Sequence, residues 1–239
     1  MAQQVKYILL IIVLAGLSGC QKYKERVLKE QQLNGFHTLI LDDSFEVELI
    51  ESNGYHVEIE AAEKYIDAIK WEISDSTITF TNESKGKWRH PSHNKVRLRI
   101  SCPSLKLIKA FESCRIKTLE PITTYEFGII IGGKLNMADL EFNNTVVYCW
   151  NYFPCGGTLT FTGTTNTLKV WSTAIMTVDS RSLNADNAYI VHNGKNDLFL
   201  FVDQLLNYSI LGNGNLQVYG NPSQIQQVEQ SGEGELLLH

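Results

Sequence analysis

The sequence predicts an all-β protein that folds as a β-solenoid, a stack of coils of about 20 residues each. Three observations lead to this prediction. Apolar residues alternate with charged residues from Leu33 to about Pro121, glycine and asparagine largely replace the charges beyond Thr123, and short aliphatic segments recur in that second part about every 20 residues.

Residues 1–19 are predicted to be a lipoprotein signal peptide. The first 20 residues read MAQQVKYILLIIVLAGLSGC, with one lysine and an apolar run from Ile8 to Leu17. This run is shorter than the roughly 20 residues that cross a bilayer, and it has the length of a secretory h-region. The residues LSGC resemble a bacterial lipobox, in which the cysteine receives a diacylglycerol and becomes the new N-terminus. We therefore expect lipid on Cys20; an ordinary signal peptide with an incidental cysteine is the alternative.

The residues after Cys20 bear on location. Enterobacterial lipoproteins kept in the inner membrane tend to carry aspartate where this chain has Gln21, so by resemblance the outer membrane is favoured, with the domain facing the periplasm or the outside. The following QKYKERVLKEQQ is charged and poor in apolar residues. We expect residues 20–32 to form a lipidated tether, either a solvated linker or a frayed helix.

Charge argues against a nucleic-acid partner. The 239 residues carry a formal charge of −5, and loss of Lys6 with the signal peptide changes −5 to −6. A mildly acidic protein is poorly suited to bind a polyanion.

Four cysteines remain after Cys20, at positions 102, 114, 149 and 155. An envelope location permits disulfides, either Cys149 with Cys155 or Cys102 with Cys114, while burial as small apolar side chains is the simpler interpretation. Their spacings do not match a zinc site, and we expect neither a metal nor a cofactor.

Residues 33–123 are predicted to be the strand-rich N-terminal part of one domain. Segments such as FEVELI and VRLRI place apolar residues at every second position, which is typical of strands with one face in water. The turn formers DDS, SNG, SDS and NESKGK separate these segments. One short helix is expected in AAEKYIDAIKW, where Ala62, Ile66 and Ile69 are three or four residues apart.

Residues 124–239 are predicted to be the repetitive solenoid part of the same domain. Seven segments align from Glu112 onward: ESCRIKTL, IGGKLNM, PCGGTLTF, WSTAIMTV, NGKNDLFLFV, LGNGNLQV and QSGEGELLL. Each supplies one aliphatic anchor, at intervals of 16 to 24 residues: Ile116, Leu135, Leu159, Ile175, Leu198, Leu216 and Leu236.

The period of about 20 residues has a physical basis. A strand of about five residues cannot bury its apolar face alone, whereas stacked coils bury a continuous column. Glycine and asparagine allow the chain to turn the corners, and charged residues would stack like on like at strand spacing. A sandwich of short strands is the alternative, but the Ser-Gly or Gly-Gly pairs before the anchors favour the solenoid.

The order of these segments resembles the head GIN domain family. The resemblance rests on LNGFHTLILDDSFEVELIESNGYHVEI, IDAIKWEISDSTITFTNE and VRLRISCPSLKLIKAFESCRI, followed by coils similar to SGxGxL, and it covers roughly residues 33–238. It implies a β-helix-like solenoid, an adhesin-type function and a lipoprotein of the Bacteroidetes type. The coils SCRI, GGKL and STAI depart from the regular serine-glycine turns, and the resemblance supplies no catalytic motif.

A β-helix lyase or hydrolase acting on an acidic polysaccharide is the alternative class of function. Such enzymes cluster aspartates on one face, but the aspartates here lie at unlike offsets from their anchors: Asp139, Asp179, Asp186, Asp197 and Asp203. Asp42 and Asp43 are adjacent and are predicted to form a turn. The sequence has no GxSxG, P-loop or HExxH motif, so no catalytic residue is expected.

The first candidate binding patch is KGKWRHPSHNK together with Arg97 and Arg99. Trp88 would stack on a sugar ring while Arg89 and the other cations bind an anionic glycan. A solvated hairpin tip beside an outward strand face is the simpler interpretation. The two histidines in this segment are too few for a strong metal site.

The second candidate patch is VVYCWNYFPC, which contains Tyr148, Trp150 and Tyr152. Exposed, these aromatic residues would form a contact surface for a protein or a glycan. Folded inward, they would be the lid of a coil, and this is the interpretation we favour.

Together these observations predict a lipid-anchored protein of the cell envelope whose solenoid presents a non-catalytic surface for adhesion or scaffold-type binding. The expected partners are the membrane, through the lipid, and a glycan or another envelope protein. The sequence ends at Leu238 and His239, directly after a predicted strand. Because an uncapped solenoid end exposes unpaired backbone, a homodimer through the C-terminal end is also expected.

Overall fold

A computed structural model describes residues 26–85, 95–133 and 135–239. Strands account for most of these residues. They are β1 (Arg26–Gln32), β2 (Thr38–Leu41), β3 (Glu46–Ile50), β4 (His56–Ala62), β5 (Ile69–Ser74), β6 (Thr77–Asn82), β7 (Arg97–Ser101), β8 (Leu107–Ala110), β9 (Arg115–Thr118), β10 (Glu126–Ile131), β11 (Asn136–Asn151), β12 (Gly156–Gly194), β13 (Leu198–Ile210), β14 (Leu216–Tyr219), β15 (Gln224–Gln230) and β16 (Leu236–Leu238), with one helix, α1 (Glu63–Ile66).

The strands form a β-solenoid of about six turns, which confirms the predicted fold class. Each coil contributes strand segments to two faces, and successive coils pair in parallel. On one face β8 pairs with β10, and on the other β9 pairs with β11. The long strand β11 turns the corner and belongs to both faces, because its first half pairs with β9 and its second half with β10.

The N-terminal end of the stack departs from this parallel pattern. Strands β2 and β3 form a coil in parallel register with β8 and β9. Beyond β3, strand β7 is still parallel, but β4 is antiparallel to β7 and β1 is antiparallel to β4. On the other face, β5 is antiparallel to β6.

The segment predicted to be a tether is in part a strand. Residues Arg26 to Gln32 pair along their whole length with β4, from Arg26 opposite Ala62 to Gln32 opposite His56. A peripheral strand is held through its backbone and can carry polar side chains on both faces, so a charged composition did not exclude a strand. The linker prediction is therefore wrong for these seven residues.

The predicted helix is shorter than its sequence pattern. Only the four residues of α1 are helical, and from Ile69 the chain continues as β5. Ile69 is buried because β5 pairs with β6 in the period-two register of a strand, with Trp71 opposite Phe80. Among the described residues, no helix is long and apolar enough to cross a membrane.

A continuous apolar column runs through the coils, but two of the predicted anchors do not belong to it. Leu135 and Ile175 are exposed by 65% and 51%. Ala138 takes the first of these places, since it pairs with Ile116 and with Leu159. Val178 takes the second place. It is buried, and because its neighbour Asp179 pairs with Phe199, Val178 lies opposite Leu198 of the next coil. The corrected column has intervals of 18 to 22 residues: Ile116, Ala138, Leu159, Val178, Leu198, Leu216 and Leu236.

The four described cysteines are free thiols, so the simpler interpretation holds and neither disulfide forms. Cys102 and Cys114 are buried, and their thiols donate to the carbonyl oxygens of Phe36 and Asp43. Burial raises the pKa of the Cys149 thiol, which keeps it protonated and unreactive.

Candidate functional site

Four aromatic side chains and one lysine form a surface on one face of the central coils, which we call the aromatic face: Tyr148, Trp150, Lys169, Trp171 and Tyr189. Trp150 of β11 lies in parallel register with Trp171 of β12. Their inward neighbours Cys149 and Val170 are buried, as the alternation along a strand requires. Trp150 is exposed by 41% and Trp171 by 55%, so the two indoles point outward.

Tyr148 is held against the backbone of the preceding coil. Its register partner in β10 is Gly128, and a Cβ at that position would lie 2.1 Å from the Tyr148 ring. Only glycine lets the ring approach the strand so closely. Burial raises the pKa of the Tyr148 phenol, and the nearby carboxylate of Glu126 raises it further, so the hydroxyl remains protonated.

The aromatic face contains an open trough of about 310 Å³. Its lining is mainly apolar and carries two charged groups of opposite sign, the Glu126 carboxylate and the Lys169 ammonium. Tyr189 closes the lining on the next coil and is exposed by 43%. The trough therefore offers flat rings with a few hydrogen-bonding groups and no net charge.

A second aromatic cluster lies at the neighbouring corner. The rings of Tyr152 and Phe111 are stacked with centroids 6.4 Å apart, and Phe153 is exposed by 78%. The interpretation of VVYCWNYFPC as an inward lid is thus wrong. The run follows a strand and then a corner, so Trp150 and Tyr152 point to solvent at different places.

In the described part of the predicted basic patch, carboxylates neutralise Arg97 and Arg99. Arg99 lies 3.0 Å from Glu48 and 3.0 Å from Glu58, and Arg97 lies 3.0 Å from Glu60. These guanidinium groups are not free to bind an acidic ligand. Trp88 and Arg89 lie outside the described residues, as do Cys20 and the two histidines of that segment.

The described residues contain no group of three or more histidine, cysteine, aspartate or glutamate side chains that could hold a metal. Asp197 accepts hydrogen bonds from the Asn215 backbone and the Gln217 amide, and Asp179 pairs with Arg181. These aspartates serve the turns and ladders of the solenoid. Asp43 likewise accepts a hydrogen bond from the Asn82 backbone, which joins the chain after β2 to the end of β6.

One pair has the composition of a nucleophile and its base. The Ser172 hydroxyl lies 2.6 Å from Nδ1 of His192. Both residues are fully buried, so no substrate can reach the hydroxyl. The pair is part of the interior, and burial lowers the pKa of His192 more than the charge of Asp197 raises it.

Trp171, Lys169 and Tyr189 were not predicted as site residues. Trp171 follows Trp150 by one coil length, and this spacing is the only sequence feature that could have placed them side by side.

Comparisons with known proteins agree with this architecture. A family described as "Putative auto-transporter adhesin, head GIN domain" matches residues 35–222. No curated protein matches the chain in sequence.

Solved structures of other proteins share the fold. The chain is similar to a "putative adhesin" from Bacteroides fragilis, with a TM-score of 0.77, 13% identity and coverage of 90% of this chain and 98% of the other. It is similar to a "putative adhesin" from Parabacteroides merdae, with a TM-score of 0.63, 17% identity and coverage of 89% of this chain and 96% of the other. It is also similar to a "Putative lipid binding protein" from Parabacteroides distasonis, with a TM-score of 0.62, 12% identity and coverage of 90% of this chain and 97% of the other. The match to the family model, which spans most of the described coils, shows that the chain belongs to the head GIN domain family.

Proposed function

We propose that this protein is a lipid-anchored component of the cell envelope whose solenoid binds a partner non-catalytically, in an adhesion or scaffold role. The observation that carries the proposal is the aromatic face, where Trp150 and Trp171 are exposed in register on a rigid sheet. Exposed aromatic clusters are unusual on a soluble surface and are typical of binding sites. The adhesin description of the family supports the same role.

Adhesion can be tested with beads that carry residues 20–239 with Cys20→Ser. The beads are passed over surfaces coated with mucin, with fibronectin and with purified envelope polysaccharide. We expect retention on at least one surface and at least a tenfold loss of retention for Trp150→Ala and Trp171→Ala. Phe153→Ala, an exposed aromatic residue outside the trough, is the matched control. Absence of retention on all surfaces would contradict the adhesive role.

The lipid anchor is part of the same proposal and is supported by the lipobox-like LSGC. We expect the unaltered protein to incorporate radiolabelled palmitate and to fractionate with the outer membrane. Cys20→Ser should abolish both properties, because the thiol is the attachment point. Cys155→Ser, which removes a thiol of the folded part, should leave both unchanged.

A homodimer through the C-terminal end of the solenoid is a further element of the proposal. Among the described strands, β15 pairs only with β13 and β16 only with β14, so each has one edge without a strand partner. Light scattering of the lipid-free protein at high concentration tests this element, and a monomer would contradict it.

A further inference from the structure

We propose that the aromatic face binds an uncharged glycan, whose sugar rings stack on Trp150 and Trp171. This inference rests on the proposed adhesive function and assigns the chemical class of its ligand. It combines the size, the charge and the rigidity of the face.

The size of the face fits a few sugar rings better than a protein partner. Trp150, Trp171 and Tyr189 are exposed by 41%, 55% and 43%, which corresponds to roughly 300 Å² of aromatic surface if a full side chain presents about 150–250 Å². A stable protein interface buries about 800 Å² on each partner. The aromatic residues alone supply less than half of that area, so a protein partner would need further contacts outside the trough.

The charge of the face argues against an acidic ligand. Lys169 is the only cation among the described residues that line the trough, and Glu126 lines the same trough with the opposite sign. Anionic glycans, phosphates and nucleic acids are held by an excess of cations. Since the chain as a whole also has a formal charge of −5, its long-range field repels polyanions.

The chemistry of the lining complements a neutral sugar. A pyranose ring has an apolar C–H face and a rim of hydroxyl groups, and the indole rings supply flat apolar surface for the former. For the hydroxyl groups, Lys169 is a donor, Glu126 an acceptor and the protonated phenol of Tyr148 both. An apolar surface with a few directional polar groups is the usual design of a binding site for a small organic ligand.

The aromatic face is also rigid before a ligand arrives. Trp150 and Trp171 lie on strands that pair in register with each other, and Tyr148 is confined against Gly128. Binding therefore needs no ordering of the backbone and little ordering of the Tyr148 side chain. Because the rings on neighbouring coils form one continuous surface, a chain of several sugars should bind more tightly than a single sugar.

The test measures quenching of tryptophan fluorescence and retardation in affinity gels, using residues 20–239 with Cys20→Ser. The neutral probes are glucan, mannan, galactan and oligomers of N-acetylglucosamine, and the acidic probes are polygalacturonate and heparin. We expect at least one neutral probe to bind, its oligomer more tightly than its monosaccharide. Trp150→Ala and Trp171→Ala should each weaken binding about tenfold or more, or about 1.4 kcal/mol. Phe153→Ala should change it less than about twofold.

Salt dependence separates the charge classes. Neutral-glycan binding should be nearly insensitive to salt, whereas Lys169→Met should weaken it modestly through the loss of one hydrogen-bond donor. Binding confined to the acidic probes, and lost at high salt, would overturn the proposal. An unchanged thermal unfolding temperature of each variant shows that a loss of binding does not result from a loss of folding.

The bead assay separates this inference from the adhesive function. The surface that retains the beads is treated either with periodate, which destroys sugar rings, or with protease. We expect periodate to abolish retention. If retention survives periodate and is lost with protease, the glycan inference is wrong and the adhesive function stands. If no surface retains the beads before treatment, the adhesive function itself fails.

Discussion

The carboxylate of Glu48 on β3 lies 3.0 Å from the guanidinium of Arg99 on β7, its partner in the parallel register. On its other side the same carboxylate lies 3.0 Å from the ammonium of Lys117 on β9. The sign of charge alternates from strand to strand across this face: positive on β9 (Arg115, Lys117), negative on β3 (Glu46, Glu48), positive on β7 (Arg97, Arg99) and negative on β4 (Glu58, Glu60). A parallel stack can therefore carry charged rows when adjacent strands differ in sign.

Glu48→Gln should destabilise the fold by about 1 kcal/mol, at the upper end for partly exposed ion pairs. Glu48 is 11% exposed and faces two cations whose side chains are about half in water, so its loss leaves both without their shared partner. Chemical denaturation measures the change. Glu141→Gln, at an exposed position of β11, is the control and should be nearly neutral.

The same pair sets an acid dependence. Burial raises the pKa of Glu48, but hydrogen bonds and charges from Lys117 and Arg99 outweigh it and lower the pKa overall. The contribution is present above the ordinary glutamate pKa of about 4.3 and is lost as pH falls through the lower folded value. Denaturation at decreasing pH should therefore show a smaller loss of stability for Glu48→Gln than for the unaltered protein. Equal losses would contradict the assignment.

His192 should give the free energy of unfolding a second pH dependence, near neutral pH. Its Nε2 has no hydrogen-bond partner among the described residues, and burial lowers its pKa. As pH falls below the ordinary histidine pKa of about 6.5, the unfolded chain gains a proton that the folded chain does not accept, so the free energy of unfolding decreases.

Thermal unfolding at about pH 7.5 and about pH 5.5 measures this effect, because carboxylates stay ionised in that range. His192→Gln should lose less of its unfolding temperature between the two conditions than the unaltered protein does. His56→Gln, on β4, should behave like the unaltered protein. A variant that retains the full pH dependence would exclude His192 as its source.

Gly128 and Tyr148 should be energetically coupled. A Cβ at position 128 would lie 2.1 Å from the Tyr148 ring, so Gly128→Ala should cost about 1–3 kcal/mol through overpacking. In a Tyr148→Ala background the obstacle is absent and the same change should cost much less. A double-mutant cycle by urea denaturation gives the coupling energy, and additive costs would contradict the close contact.

Gly163 should resist substitution for a different reason. Its φ is +96°, and a Cβ there would lie 2.1 Å from the backbone oxygen of Phe142. Because backbone cannot move aside as a side chain can, Gly163→Ala should cost more than about 2 kcal/mol. At Gly54 the nearest atom to an added Cβ is the Gln32 amide nitrogen at 4.0 Å, so Gly54→Ala should be nearly neutral by the same denaturation measurement.

The solenoid fold and the approximate coil length could be predicted from sequence, whereas the phase of the strands could not. The alignment of the coils places anchors at Leu135 and Ile175, but both side chains are exposed. The interior position three residues beyond Leu135 is Ala138, and a small residue gives little indication of burial. An odd shift reverses which side chains point inward on a strand, so the phase error also hid the outward position of Trp171.

The antiparallel direction of the N-terminal strands could not be predicted from sequence either. The residues of β4 alternate as they would in a parallel strand, and direction depends on partners far along the chain, such as Glu58 opposite Arg99. The aromatic face depends on two coils being in register, Trp150 with Trp171. The predicted patch VVYCWNYFPC includes Trp150, but Trp171 lies one coil further along the chain and could not be found from that segment.

If Cys20 carries a lipid, the six residues from it to Arg26 of β1 can span at most roughly 20 Å in any conformation. The bilayer would then lie beside the N-terminal edge of the stack. From β5 at that edge to the strand of Trp150 the order is β5, β6, β2, β8, β10 and β11, a rise of roughly 25 Å at about 4.8 Å per strand. The height of the indoles above the lipid would be governed by the repeat itself, and adding or deleting a coil would change it in fixed increments.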